Sequence, residues 1–254
     1  MGAYDYRGPV VRLWGRNLAI PTTMENLSEV SNLQTFSSYG AAVKLQVSSS
    51  SADDDGAPVG TGALTLRIIG LDANYKLASA DVILNGVTAV ETAATFLRVF
   101  AAYVLTAGTG LTNAGDIYVY KTGTAITAGV PDALTTTWIK IPVGANGATS
   151  GMITVPAGKN YEVRGGRFSA RTQSTDFYLY AHTPAGTETA IKMEDFFPAG
   201  TGTVSANTPE RRDPTAMSPL RFTEKTDLYL RAISGTTGGV GQGELFLEEY
   251  FPAR

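Results

Sequence analysis

Short apolar runs that alternate with polar residues follow one another along most of the chain. In the first of them, Val43, Leu45 and Val47 are separated by Lys44 and Gln46, so the three apolar side chains share one face of an extended segment. Further runs occur at 64–70, 95–106, 116–121, 136–143, 151–156, 161–171, 176–182, 190–197, 220–233 and 243–251. Turn residues separate the runs about every 8 to 15 residues, a spacing typical of sandwiches and barrels. We therefore predict an all-β, β-sandwich or jelly-roll-like fold of about 12–14 short antiparallel strands.

The strongest local signal is the pair Asn85-Gly86, which lies between the apolar runs DVIL and VTAV. Both residues tolerate positive φ, which a two-residue hairpin loop requires, so the pair predicts a β-hairpin. Residues 93–105 come closest to a helical period. Their β-branched and aromatic content favours a strand instead.

The first 40 residues show little sustained alternation. Only residues 22–30 look helical, as a short turn capped by Thr22 or Thr23. The apolar residues of this segment still require burial, either in an extended arm that packs on its own domain or a neighbouring subunit, or in an ordinary edge strand. We assign residues 1–40 to an N-terminal arm and 41–254 to a β-sandwich domain, with a possible subdivision near 121–135. For an arm, deletion of residues 1–40 should weaken attachment to a partner and leave the β domain folded.

Composition narrows the classes of function. Charged residues make up only 17% of the chain, against roughly 25% in an average protein, which suits a long-lived β-rich assembly. The net charge of −3 and the scattered basic residues argue against nucleic-acid binding. The absence of Cys excludes disulfides, thiolate metal sites and a Cys nucleophile. No apolar run is long enough for a membrane-spanning helix, and the first residues do not resemble a secretory leader.

The residues that most often carry chemistry form no complete motif. His182 is the only histidine, and no G-x-S-x-G pattern accompanies it, so a Ser-His-Asp triad has little support. The run Asp53-Asp54-Asp55 offers carboxylates to calcium, but it lacks the EF-hand spacing, and an acidic solvated loop is the better interpretation. Asp72, two residues before Asn74, is equally ambiguous, because Asp and Asn side chains also cap turns.

Other candidate sites are weaker still. The glycine-rich segment 238–243 has neither the G-x-G-x-x-G spacing nor a Walker lysine, and we interpret it as a flexible hairpin loop. A glycosidase needs two carboxylates across a cleft, but the sequence alone does not set the distances between its acidic residues, so this hypothesis has no positive support. These pairs and single acids are Glu194-Asp195, Asp213 and Glu248-Glu249. Aromatic residues in strands are more often core or interface than a sugar-stacking face, and those concerned are Trp14, Trp138, Phe177, Tyr178, Tyr180, Phe196, Phe197, Tyr250 and Phe251. We predict no catalytic, cofactor-binding or metal-binding residues.

One string of short motifs resembles a group of virion proteins from tailed marine and cyanobacterial phages. Its elements are GTGA at residues 60–63, GLD at 70–72, LNG at 84–86, FLRV at 96–99 and TNAGDI at 112–117. The second half continues the likeness with VPAGK at 155–159 and RFTEKTD at 221–227. The resemblance covers about residues 57–250, and the first 50 residues show none.

The resemblance implies a non-enzymatic structural protein of a virus particle. A capsid decoration or cement protein is the first expectation, and a tail, collar or fibre component is the second. A glycan-binding adsorption module is an alternative from a different class. The implied partners are the major capsid protein or other virion proteins. A homo-oligomer is expected, with a trimer favoured by the local symmetry axes of capsids.

Overall fold

The computed structural model describes residues 7–28, 41–193, 203–204, 210–212 and 220–250, and for residues 7–10, 203–204 and 210–212 it describes the backbone alone. These residues form 21 strands and one 3₁₀ turn, Leu134–Thr136. In chain order the strands are β1 (Arg7–Ile20), β2 (Glu25–Asn26), β3 (Val43–Ser49), β4 (Ala63–Leu71), β5 (Leu77–Ile83), β6 (Val90–Phe96), β7 (Arg98–Ala107), β8 (Ile117–Lys121), β9 (Ile126–Thr127), β10 (Val130–Pro131), β11 (Thr137–Ile141), β12 (Gly147–Thr149), β13 (Met152–Thr154), β14 (Tyr161–Ala170), β15 (Thr175–His182), β16 (Glu188–Lys192), β17 (Thr203–Val204), β18 (Glu210–Arg212), β19 (Arg221–Phe222), β20 (Asp227–Ser234) and β21 (Gly239–Tyr250).

The predicted all-β, antiparallel class is confirmed. Thirteen of the strands in the described residues are five residues or longer, which falls within the predicted number, and the others are bridges of two or three residues. None of the described helical segments is long and apolar enough to cross a membrane.

The chain divides into two compact units. One, which we call the split unit, contains the residues up to Leu27 together with those from Gly151 onward. The other, the inserted unit, runs from Ser28 to Ser150 and therefore interrupts the split unit in sequence. These limits differ from the boundary predicted after residue 40 and from the subdivision considered near 121–135.

The inserted unit contains two four-stranded antiparallel sheets and the small β9–β10 hairpin. The sheet orders are β11-β8-β3-β6 and β12-β7-β4-β5. Inward-facing residues of both sheets form one hydrophobic core that includes Leu45, Ile68, Phe96 and Trp138. The period-two pattern of the sequence produces this core, because alternate residues of each strand point to the same face.

The predicted hairpin about Asn85-Gly86 is wrong. β5 pairs with β4 and β6 pairs with β3, so the segment between them crosses from one sheet to the other. Asn85 and Gly86 still make a tight turn, with the Thr88 N–H donating to the Asn85 carbonyl at 2.9 Å and Gly86 at a φ of 54°. The backbone beside the turn also pairs with the loop after β3: the Gly86 N–H donates to the Asp54 carbonyl, and the Gly56 N–H donates to the Leu84 carbonyl.

The split unit also consists of two antiparallel sheets. One has the order β1-β21-β14-β18, with β19 also paired to β14. The other has the order β13-β20-β15-β16, with β2 on β20 and β17 on β15. In β15 buried and half-buried residues alternate without exception, and the buried Phe177 packs against Phe168 of β14 with ring centroids 5.1 Å apart and ring planes tilted by 40°.

The N-terminal segment is an edge strand, the second of the two interpretations given above. β1 pairs antiparallel with β21, and Leu13 and Ile20 are fully buried. The arm assignment is thus wrong for residues 7–20. The short helix predicted at 22–30 is also absent from residues 22–28, because Glu25–Asn26 pairs with β20. Residues 1–6 and 29–40 of the predicted arm lie outside the described residues.

The glycine-rich segment is not a flexible loop. Gly239 to Gly243 lie within β21, and the turn precedes them at residues 235–238. A Cβ on Gly241 would come within 2.8 Å of Ile20 Cδ1 and 3.2 Å of Phe177 Cζ, and one on Gly243 within 2.9 Å of the Phe168 ring. The glycines therefore allow large side chains to pack directly against the strand backbone.

Candidate functional site

Four loops meet at one end of the inserted unit, and we call this cluster the crown. They are residues 50–62, 84–89, 108–116 and 142–146, each of which leaves one strand and enters the next at the same end of the sandwich. Three of the motif elements that resemble virion proteins, residues 60–63, 84–86 and 112–117, lie in this cluster or at its base. The fold thus gathers residues that are widely separated in sequence.

A buried carboxylate joins two of the four loops, residues 50–62 and 108–116. Asp54 is fully buried, and its two oxygens accept hydrogen bonds from Ser49 Oγ (2.5 Å) and from the backbone N–H groups of Ala63 (2.7 Å), Ala114 (2.8 Å) and Gly115 (2.9 Å). Four donors around one carboxylate satisfy most of its acceptor sites, which is what a buried charge requires.

The residues around Asp54 are small because the carboxylate must come close to the backbone. A Cβ on Gly62 would lie 2.2 Å from Asp54 Oδ1 and 2.9 Å from the Ala114 Cβ. This close approach explains the glycine of GTGA at residues 60–63 and the small residues of TNAGDI at 112–117. The two motifs are two sides of one binding pocket for a side chain of the same protein.

The prediction of an acidic solvated loop at Asp53–Asp55 holds for only part of the run. Asp53 is exposed and Asp55 is half-buried, but Asp54 is a structural anchor surrounded by donors. Such a donor set does not suit a cation. No group of three or more carboxylate or imidazole side chains capable of holding a metal occurs in the described residues.

Two asparagines connect the third and fourth loops. The Asn146 N–H donates to Asn113 Oδ1 at 2.9 Å, and the Asn113 N–H donates back to Asn146 Oδ1 at 3.1 Å. The Asn113 amide also donates to the carbonyls of Gly115 and Pro142, and the Asn146 amide to that of Leu111. Because both side chains bond to backbone on the opposite loop, these loops are held as one rigid body.

An ionic contact supports the base of the crown. Asp116 accepts hydrogen bonds from Lys140 Nζ (2.8 Å), the Val143 N–H (2.9 Å) and the Tyr118 hydroxyl (3.3 Å). Partial burial works against ionisation, but these bonds outweigh it and lower the pKa of Asp116. Burial, reinforced by the Asp116 charge, raises the pKa of Tyr118 to about 12.

The crown presents large aliphatic side chains to solvent. Leu111, Val59 and Val143 are 76%, 73% and 62% exposed, and Val87 on the remaining loop is also exposed. Leu111 has a φ of 62°, in the left-handed region that a leucine adopts only at a cost of about 1–2 kcal/mol. A strained backbone that displays an exposed leucine is the kind of feature that clusters at functional sites.

The other residues considered from sequence have structural surroundings. His182 is half-buried at the end of β15, opposite Glu188 on β16 and Asp227 on β20. Asp72 caps a turn, one of the roles that its sequence suggests, and it does so by accepting hydrogen bonds from the N–H groups of Asn74 and Lys76. Glu248 and Glu249 bond to Arg164 and Lys159.

Most of the candidate aromatic residues that the structure describes lie in the core or in a sheet. Trp138 and Phe177 are buried, and Tyr178, Tyr180 and Trp14 are half-buried. Tyr250 lies under the Arg221 guanidinium at 4.9 Å. Glu194, Asp195, Phe196, Phe197, Asp213 and Phe251 lie outside the described residues.

Comparison with known proteins assigns no family. No protein-family model matches the chain, and no curated protein matches it. Among solved structures, it has a distant likeness to infectious bursal disease virus of the Gx strain, with 11% identity, 99% of this chain and 73% of that chain covered, and a TM-score of 0.25. A VP2 subviral particle of the same virus gives 11% identity, 98% and 73% coverage, and a TM-score of 0.26. Similarity this low supports no assignment of function.

Proposed function

We propose that this protein is a non-enzymatic structural component of a tailed-phage virion, a capsid decoration or cement protein that contacts the particle through its crown. The observation that carries the proposal is the position of the motif string. Three of the seven elements that resemble phage virion proteins, at residues 60–63, 84–86 and 112–117, help to build the crown, and the crown displays exposed aliphatic side chains on rigid loops.

The chemistry of the crown favours a scaffold over a reaction centre. The polar groups of its interior, those of Asp54, Asn113 and Asn146, bond to backbone and hydroxyl groups of the protein itself. Such bonds fix loop geometry and leave no activated nucleophile. A buried polar network that is fully bonded makes a rigid platform.

The exposed side chains provide the energy of attachment. Transfer of one fully exposed Leu or Val side chain into a partner's apolar pocket contributes about 1.5–3 kcal/mol. Because Asp54 and the asparagine pair already hold the loops, little conformational entropy is lost on binding. Three such residues, Val59, Leu111 and Val143, support a specific contact with a folded partner.

The partner that we propose is the major capsid protein, with several copies of this chain arranged about the local symmetry axes of the shell. Closed cyclic oligomers, a trimer first, fit such axes. A position in the tail, collar or fibre would use the same surface in another symmetry, and a glycan-binding role would place saccharide at the crown.

The test combines localisation with a pair of matched variants. Cryo-electron microscopy of purified virions should place the protein on the capsid with its crown against the shell. Leu111→Asp should reduce rebinding of the protein to depleted particles by about tenfold or more. The control is Leu134→Asp, because Leu134 is an exposed leucine at the opposite end of β11 from Val143.

Each outcome has one meaning. Absence of the protein from virions, or equal rebinding by the two variants, would reject the proposal. Density on the tail would move the protein to the second assignment, and loss of binding to host glycan in Leu111→Asp alone would support the adsorption role.

A further inference from the structure

Strand β5 forms one edge of the sheet β12-β7-β4-β5 in the inserted unit. On the outward face of this sheet, Ile83, Asp81 and Ser79 of β5 are exposed, whereas the β4 residues opposite them are half-buried. These β4 residues are Thr65, Arg67 and Ile69. Leu77 and Ile83, at the two ends of β5, are 67% and 61% exposed. The strand therefore presents its outward side chains to solvent.

The backbone groups of the same exposed residues point away from the sheet. The Leu84 N–H, directly after β5, donates to the Leu64 carbonyl at 3.0 Å. Because hydrogen-bonded residues alternate along an antiparallel pair, the even-numbered residues of β5 bond to β4 and the odd-numbered ones direct their N–H and C=O groups to the edge. The edge-directed residues are Leu77, Ser79, Asp81 and Ile83. Among the described strands, β5 is hydrogen-bonded to β4 alone, so it presents a row of donors and acceptors along its other side.

The other edge strands of the two four-stranded sheets carry features that oppose pairing with a further strand. β12 has only three residues. β6 has a register shift against β3, and β11 has one against β8. β5 has seven residues, no proline, and an unbroken register with β4 from Leu77 to Ile83. A regular exposed edge of this kind promotes association, so it requires an occupant.

The sequence of β5 is complementary to a second copy of itself. An antiparallel pair of two β5 strands centred on Ala80 places Leu77 opposite the Ile83 of the second copy, and Ser79 opposite its Asp81. All of these residues direct their backbone groups to the edge, so each opposed pair exchanges two hydrogen bonds. On the outward face, aliphatic pairs then flank the central Ser–Asp pairs. The charge of Asp81 is balanced within its own chain, because Asp81 Oδ1 lies 2.6 Å from Arg67 Nε.

We propose that β5 is a contact between two copies of this protein, in which the two β5 strands pair antiparallel about a two-fold axis. The contact joins two four-stranded sheets into one continuous sheet. A pair of short strands buries less than the roughly 1,200 Å² of a stable complex, so the free dimer is weak, with a dissociation constant of about 10–100 μM. The contact uses β5 and not the crown loops, so this proposal and the proposed attachment to a capsid can each fail without the other.

Cross-linking tests the register, and the absence of cysteine from the chain makes it site-specific. Full-length Ser79→Cys and Asp81→Cys proteins are oxidised singly and as a mixture. Residues of an opposed hydrogen-bonded pair have Cα atoms about 5.5 Å apart, within reach of a disulfide, whereas identical positions of the two copies lie diagonally at about 7–8 Å. The mixture should therefore form covalent dimers several times faster than either protein alone. The control mixture combines Ser79→Cys with Asp53→Cys, an exposed position outside β5, and should show no such increase.

Sedimentation velocity of the full-length protein between about 5 and 500 μM measures the dimer without a cross-link. Ser79→Pro should weaken the dimer about tenfold or more, because proline removes an N–H that faces the second copy in both chains. That N–H does not bond to β4, so the edge strand tolerates the proline, and circular dichroism verifies that the variant folds. Ser79→Ala keeps the N–H and is the matched control, which should dimerise like the parent.

The results that would overturn the proposal are specific. They are a monomer at every concentration, equal dissociation constants for Ser79→Pro and Ser79→Ala, or equal cross-linking rates in the mixed and single cysteine proteins. If the edge of β5 instead receives a strand of a different protein, the free protein stays monomeric, and that result rejects a second copy as the occupant.

Discussion

The carboxylate of Asp54 accepts a hydrogen bond of 2.8 Å from the backbone N–H of Ala114, sixty residues further along the chain. This bond links the first and third loops of the crown and depends on one buried charge. The loops that display Val59 and Leu111 are therefore positioned from the interior of the inserted unit, and interior changes should alter the surface.

Asp54→Asn should destabilise the inserted unit by about 3 kcal/mol, because an amide nitrogen replaces an acceptor that faces N–H donors. Urea unfolding measures the change. Trp138 is the only tryptophan of the inserted unit, and Trp14 is the only tryptophan of the split unit. In a Trp14→Phe background, tryptophan fluorescence therefore reports the unfolding of the inserted unit alone. The neighbouring exposed residue provides the control: Asp53→Asn should remain within about 0.5 kcal/mol of the parent. Equal effects of the two variants would contradict the anchoring role of Asp54.

Leu13→Ala should destabilise the split unit by about 2–5 kcal/mol, since a fully buried leucine of β1 leaves a cavity. Leu18→Ala, on the exposed face of the same strand, should change stability far less. Removal of residues 1–27 should abolish the cooperative unfolding transition reported by aromatic circular dichroism of the split unit. A truncated protein that keeps this transition would restore the arm interpretation.

The variant Leu111→Gly should raise the stability of the protein and weaken its attachment to particles. Glycine adopts the φ of 62° without a Cβ clash, so the variant should be more stable by up to about 1 kcal/mol. It should also bind particles less well, because the exposed side chain is gone. Val143→Ser, at a position without positive φ, should reduce binding with no gain in stability. A loss of stability in Leu111→Gly would show that the leucine packs within the crown and does not serve a partner.

Acid should weaken the base of the crown through Asp116. Its pKa is lower in the folded protein than the value near 3.9 of an unfolded chain, so its ionised form stabilises the fold above about pH 4. That contribution disappears as the pH falls through the folded pKa. Asp116→Asn should therefore lower the free energy of unfolding at pH 7 and have a smaller effect near pH 2. Asp53→Asn serves as the control, and an Asp116→Asn effect that is the same at both pH values would contradict this account.

A strand is predictable from the sequence where apolar and polar residues alternate within that strand. Residues 176–182 predict β15 because buried Phe177, Leu179 and Ala181 alternate with outward residues, and the structure confirms this pattern. The glycines of β21 were misinterpreted because their partners, Ile20, Phe168 and Phe177, are distant in sequence. A glycine that accommodates a ring cannot be told from a flexible glycine without knowing which ring faces it.

The crown was less predictable than the strands. Asp53, Asp54 and Asp55 are chemically identical in sequence, and only the fold selects the middle one for burial. A usable signal existed in the small residues of GTGA and TNAGDI, since such motifs permit close backbone approach. Asn85-Gly86 correctly predicted a turn, but which strands the turn connects depends on backbone pairing with residues 49–56, which no local pattern encodes.

The pairing of β1 with β21 has a consequence for synthesis on the ribosome. The inserted unit leaves the ribosome with all its strands contiguous, so it can fold while the rest of the chain is still being made. β1 emerges first but must wait for β21, more than two hundred residues later, before its long edge is paired. During that interval its apolar residues are accessible to other nascent chains, and contacts of such separation form slowly. Expression should therefore be most vulnerable to aggregation through β1, and a chaperone that shields β1 until β21 is made should raise the yield of soluble protein.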